Sequence, residues 1–178
     1  MTKINTNPVV NISYAGLFLA LGLVLPFLTM QIPQIGSKLL PMHIPILLCG
    51  FICGPRLGLG VGLITPILRS VLFSAPPLFP IAVAMSFELA AYGFFAGLLF
   101  GLFQRKRASV YIALIVSMIL GRIVWGIANY LLLGIDGSEF TLELFMAGAF
   151  INAIPGIIIQ LILIPIIVTK VERLRQNR

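Results

Sequence analysis

The stretch TPILRSVLFSAPPLFPIAVAMSFELAAYG, residues 65–93, decides how the rest of the chain is read. Two apolar helical arms flank a Ser-Ala-Pro-Pro turn, and each arm holds one full charge among hydrocarbon side chains: Arg69 before the turn and Glu88 after it. Charges in such a setting are costly, and they persist when they pair, face water or hold a ligand.

The same apolar character extends in both directions. Of the 178 residues, 60% are hydrophobic and only 10% are charged. A soluble domain must clothe its surface in polar groups, so this composition marks a polytopic integral membrane protein. Strand alternation, repeats and a second domain are not visible in the pattern. The reading is therefore an all-α protein of six transmembrane helices in one domain, residues 1–178. The helices are expected at about 9–31, 41–53, 57–73, 80–103, 109–133 and 142–170. The second, PMHIPILLCGFIC, is short and interrupted by Pro41 and Pro45. It is expected to be tilted, partly re-entrant or buried by its neighbours. Pro26, Pro155 and Pro165 are expected to kink the first and last helices. The polar start runs straight into an apolar segment too long for a signal-peptide core, so no cleavable signal is expected.

A net charge of +7 in a soluble protein points to nucleic acid, but here the cations stand at the segment ends. With six spans and both termini cytoplasmic, Lys3, Arg56, Arg105, Lys106, Arg107, Lys170, Arg173, Arg175 and Arg178 all fall inside. Only Lys38 falls outside, beside Asp136 and Glu139. The bias of basic residues toward the cytoplasm selects this orientation over its inverse.

Helical rise then assigns a depth to each internal polar group. Counted from the cytoplasmic side, Arg69 lies about 20 Å in and Arg122 about 22 Å; counted from outside, Glu88 lies about 12 Å in and Asn152 about 15 Å. In a core roughly 30 Å thick, these four converge on one layer in the outer half. Arg122, Trp125 and Asn129 share a face of the fifth helix, and Glu88 shares one with Tyr92. His43 is expected near the outer mouth. A cation, an anion, amides and aromatic rings around an apolar cavity describe a small-molecule pocket. The loops at 31–40, 74–79 and 134–141 are expected to close it. The candidate substrate-binding residues are thus Arg69, Glu88, Arg122, Trp125, Asn129, Asn152, His43 and Tyr92. A plainer reading stands beside this one, in which Arg69 or Arg122 pairs with Glu88 and the ion pair only holds helices in register. Even then, two arginines against one glutamate leave a surplus cation, which favours an anionic or strongly polar ligand or an interfacial position for one arginine. His43 is open between a ligand contact and a solvated mouth residue; Trp125 and Tyr92 are open between packing and ring stacking.

Other chemistries find little footing. Cys49 and Cys53 lie four apart in one apolar segment, without acidic or histidine companions at ligand spacing. They read as small buried hydrophobes, and no metal or cofactor is expected. The chain has one histidine, no H-E-x-x-H, no G-x-S-x-G and no acidic pair at working spacing, so no catalytic residue is assigned. Ser70 and Ser86 have no obvious base.

The run LPMHIPILLCGFICGPRLGLGVGLITPILRSVLF at residues 40–73 carries an H-I-P…G…G-P-R-x-G-x-x-x-G pattern over residues 43–62. With GRIVWG at 121–126 and NAIPG at 152–156, it resembles the substrate-binding S component of energy-coupling factor (ECF) vitamin transporters. The resemblance covers essentially the whole chain. It implies capture of a water-soluble vitamin or precursor in an outward pocket. It also implies association with a transmembrane coupling subunit and two cytoplasmic ATPases in the bacterial plasma membrane, and toppling of the subunit to release substrate. Members often carry an Ala-x-x-x-Ala pattern on the first helix for docking the coupling subunit; Gly16 and Ala20 match that spacing, with glycine in the first place. Surplus arginine suits pantothenate, whereas Glu88 with Trp125 and Tyr92 suits pyridoxine or hydroxymethylpyrimidine. The charge reasoning for pantothenate fails if Glu88 neutralises one arginine and the other faces elsewhere. The rival classes are a self-sufficient channel or secondary carrier, against which the absence of two evident inverted halves counts, and a membrane enzyme.

Overall fold

The computed structural model describes residues 8–29, 38–103, 107–135 and 141–176. Lys3, Arg105, Lys106, Asp136, Glu139 and Arg178 lie outside the described residues, as does most of the loops at 31–40 and 134–141. Among the described residues every regular element is helical. Helix α1 is Pro8–Val24, α2 is His43–Cys53, α3 is Pro55–Phe73, α4 is Val83–Leu102, α5 is Arg107–Ile135, α6 is Leu142–Met146 and α7 is Ile154–Gln176. Five helical stretches are long and apolar enough to cross a membrane: Pro8–Leu28, Pro55–Phe73, Leu78–Leu102, Ala108–Gly134 and Ile154–Leu174.

The sixth expected segment is α2, whose 11 residues extend only about 16 Å at the α-helical rise. It is the innermost helix, packed against α1, α3, α4 and α7. Only Ile44 and Cys53 of its residues escape full burial. Of the three expected possibilities, burial by neighbours is the one observed. Neighbouring helices supply the apolar surroundings that its length would not find across a bilayer.

Local chemistry explains the joints. Gly54 alone connects α2 to α3, at φ +95°, where a side chain is strained. Pro55 opens α3, since a helix's first N–H groups have no internal partner in any case. Around Pro26 the α-helix gives way to a tighter 3-10 turn, Leu25–Thr29. The chain leaves α3 through Ser74 in the left-handed conformation and enters α4 through a π-helical turn, Leu78–Ala82, in which Phe79 is extended.

The last expected helix, 142–170, is divided more deeply than a kink. After α6 and a π-helical turn, Ala147–Ile151, the chain turns at Asn152 and Ala153 before α7 begins. Pro155 sits at the second position of α7, where its missing N–H costs least, and so marks a start rather than a bend.

The centre of the bundle is joined backbone to backbone. A Cβ on Gly93 would collide with the Gly58 carbonyl, and one on Gly50 or Gly58 with the Gly93 carbonyl. Small residues of this kind let helices approach closely where apolar burial gives little drive toward association. Outside this seam, Phe51 of α2 meets Phe100 of α4 edge-on at 5.2 Å, and Ile46, Leu47, Leu114 and Ile164 complete a fully buried apolar core. The α2–α3–α4 unit therefore holds Glu88 and His43 on rigid helices, and α5 and α7 close over it.

Candidate functional site

The polar centre is built on α4. Glu88 points inward from its second turn and is 1% exposed. Arg122, from α5, places Nη1 2.8 Å from Glu88 Oε1. His43, the first residue of α2, places Nε2 3.4 Å from the same oxygen. Tyr92, one turn after Glu88, is buried with its ring 5.3 Å from the imidazole and interacts with both Glu88 and Arg122. Gly121 makes room for it, because a Cβ at that position would overlap the Tyr92 ring. Four side chains from three helices thus form one buried polar cluster.

A buried ion pair is tolerable when its remaining donors and acceptors are also satisfied. Here they are not. Arg122 Nη2 and His43 Nδ1 are buried without a hydrogen-bond partner among the described residues. Guanidinium carries five N–H donors and imidazole two ring nitrogens, so the cluster retains unused capacity pointing into protein. Unsatisfied buried groups of this sort call for a ligand or solvent to complete them.

Arg69 is elsewhere. Its Nη1 donates to the Leu23 carbonyl at the end of α1, and its guanidinium lies over the rings of Phe27 at 4.9 Å and Phe73 at 5.5 Å. The last carbonyls of a helix lack internal donors and carry partial negative charge, so a cation there is well placed. No ion pair joins Arg69 to Glu88 among the described residues. Both arginines are buried, and counting depth along a helix carries no information on which way each faces.

The other candidates divide. Asn129 is buried and its Nδ2 donates 2.9 Å to the Trp125 carbonyl of its own helix. Trp125 stacks on Phe145 of α6, with ring centres 6.2 Å apart and planes at 30°. A Cβ on Gly126 would collide with Phe145 and one on Gly148 with Trp125, so the two rings seat α6 against the C-terminal half of α5. Asn152 is exposed on the turn ahead of α7. Its expected depth assumed one helix from residue 142; the restart at Ile154 leaves it at the helix entrance. His43 is neither at a mouth nor solvated, since it is 2% exposed. Ser86 donates to the Ala82 carbonyl at 2.8 Å in its own helix, and the imidazole is engaged with Glu88.

A buried amide without a partner is absent from the sequence-based set. Gln160 of α7 is fully buried, and neither its Oε1 nor its Nε2 has a partner among the described residues. The available signal was a lone amide in the run IIIQLILIP, four residues after Gly156. Among the described residues no group of three His, Cys, Asp or Glu side chains is placed to hold a metal.

Compared with known proteins, residues 11–168 match a family model described as ECF transporter, substrate-specific component. No curated protein and no solved structure matches the chain.

Proposed function

The chain belongs to the family of ECF transporter substrate-specific components, and from that premise we propose that the Glu88–Arg122–His43–Tyr92 cluster is the polar wall of its substrate site. The family is one of transporter components rather than enzymes, and membership implies a small-molecule substrate and association with coupling and ATPase modules. The observation that carries the assignment is the pair of unfilled valences, Arg122 Nη2 and His43 Nδ1, inside an otherwise fully buried cluster. A purely structural ion pair gains nothing from leaving them open.

In this reading the protein captures a water-soluble vitamin or precursor from outside the cell and presents it for delivery to the cytoplasm. Both termini are cytoplasmic and the protein sits in the bacterial plasma membrane. Arg122 already has Glu88 as counter-ion, and Arg69 is held by the end of α1, so the surplus cation that favoured pantothenate is missing from the cluster. A carboxylate approaching Arg122 Nη2 would also meet the Glu88 carboxylate. A neutral hydroxylated heterocycle of the pyridoxine or hydroxymethylpyrimidine kind fits better. Trp125, one turn after Arg122 on α5 and stacked on Phe145, serves in this reading as the ring that covers the site. Gly16 and Ala20 serve as the docking face for the coupling subunit: both are exposed on α1, and a Cβ on Gly16 meets nothing within 4 Å.

A thermal-shift screen of the purified protein against water-soluble vitamins and precursors tests this. A true ligand at a hundredfold excess over its dissociation constant stabilises the fold by about 2.7 kcal/mol and raises Tm. The shift is expected to vanish in Arg122→Met. A folded, monodisperse protein that responds to no member of the panel would overturn the assignment.

A further inference from the structure

Gln160 has a direction. Gly156, Gln160, Ile164 and Val168 recur every four residues on α7 and are all buried, so they form one stripe on the helix. At the outer end of the stripe Gly156 lies against the backbone of Lys38 and Leu39, where a Cβ would stand 2.8 Å from the Lys38 carbonyl oxygen. At its inner end Ile164 and Val168 join the same apolar core as Ile46 and Leu47 of α2. Gln160 lies between them, about 6 Å deeper than Gly156 by helical rise. The chain from Leu39 likewise runs inward to His43, whose N–H bonds to the Leu40 carbonyl at 3.1 Å. The amide therefore lies one turn inward of the Lys38–Leu39 backbone that leads into α2, on a helix that packs against both α2 and α5. A carboxamide with both ends unpaired in an apolar interior is costly, and nothing in the packing of α7 requires it.

We propose that Gln160 is a further ligand contact and sets the specificity of the site. It completes, with Arg122 Nη2 and His43 Nδ1, a set of unfilled valences contributed by three helices. This rests on the substrate-binding reading above and narrows it. A primary amide presents an acceptor and a donor side by side, and its natural complement is a ring edge with an amino group next to a ring nitrogen, as in an aminopyrimidine. Gln160 Oε1 accepts from the amino N–H, and Nε2 donates to the ring nitrogen. Pyridoxine has no amino group beside its ring nitrogen and makes no such pair.

The test uses the full-length protein in detergent, as wild type and as Gln160→Met, which keeps the length of the side chain and removes both polar atoms. Each is titrated with an amino-hydroxymethylpyrimidine and with the analogue in which hydrogen replaces that amino group. Binding is followed by calorimetry and by the fluorescence of Trp125, the single tryptophan of the chain. The wild type is expected to prefer the amino compound by about tenfold or more, the scale of one satisfied pair against an unpaired buried amide. In Gln160→Met the preference should fall to about one, with the amino compound weakened more than the analogue and with an unliganded Tm equal to or above that of the wild type. Survival of the preference, equal weakening of both compounds or a lowered Tm would each overturn the inference, the last because it reveals a structural partner for the amide. If another vitamin of the panel binds but neither pyrimidine does, the inference fails and the substrate-binding assignment stands. If the wild type binds nothing, both fall.

Discussion

Arg69 and Arg122 are the same side chain, both buried in apolar helices, and their surroundings differ in kind. Arg69 is completed by protein: the Leu23 carbonyl takes one N–H and the faces of Phe27 and Phe73 take the charge. None of its nitrogens is both buried and unpaired among the described residues. Arg122 has a full counter-ion in Glu88 and yet keeps Nη2 open. The contrast teaches that a buried charge is not itself the mark of a ligand site. A helix end and two rings can absorb a cation completely, whereas an ion pair of good geometry can leave valence unused. The unused valence is the informative quantity.

The largest test of this contrast is Arg122→Met. It strands the Glu88 carboxylate in an apolar interior, and removing one partner of a buried pair costs about 3–5 kcal/mol. Thermal unfolding in detergent should show the loss, and the double variant Arg122→Met with Glu88→Leu should recover most of the stability without recovering ligand binding. If the double variant binds ligand as the wild type does, the cluster is structural and the contrast between the two arginines disappears.

Arg69→Met comes next. The charge-assisted bond to a backbone carbonyl and the two ring contacts together are worth about 2–3 kcal/mol. The prediction is a lowered Tm with ligand affinity within about twofold of wild type. A selective loss of affinity in a variant that still folds would return Arg69 to the substrate site.

The smallest effect sharpens the comparison from the other side by disturbing the cluster without touching a charge. Gly121→Ala forces the buried Tyr92 ring aside, and overpacking of this kind costs about 1–3 kcal/mol. Affinity should fall more than the modest change in Tm implies, because Tyr92, Glu88 and Arg122 act as one unit. Unchanged affinity would place Tyr92 outside the site.

Much of this was legible in the sequence for local reasons. Glu88 and Arg122 stand out because ionised groups are rare in apolar helices, and Tyr92 follows from i,i+4 spacing. The misplacements share a cause. Asn152 was given a depth by counting through a helix that actually ends before it, and His43 was placed at a mouth because it begins a segment. Gln160 escaped notice because one amide in an apolar run has no partner at helical spacing to single it out.

The amino-acid sequence by itself determined that this is an all-helical membrane protein and which residues carry charge into its interior. Composition and helical rise are properties of one segment at a time. Tertiary structure alone decided that Arg122 rather than Arg69 meets Glu88, that the short α2 is wrapped by its neighbours, and that Gln160 is buried with no partner among the described residues. Rise along a helix specifies height, but the rotation of each helix about its own axis is set by packing against the others, and that rotation chooses the partner.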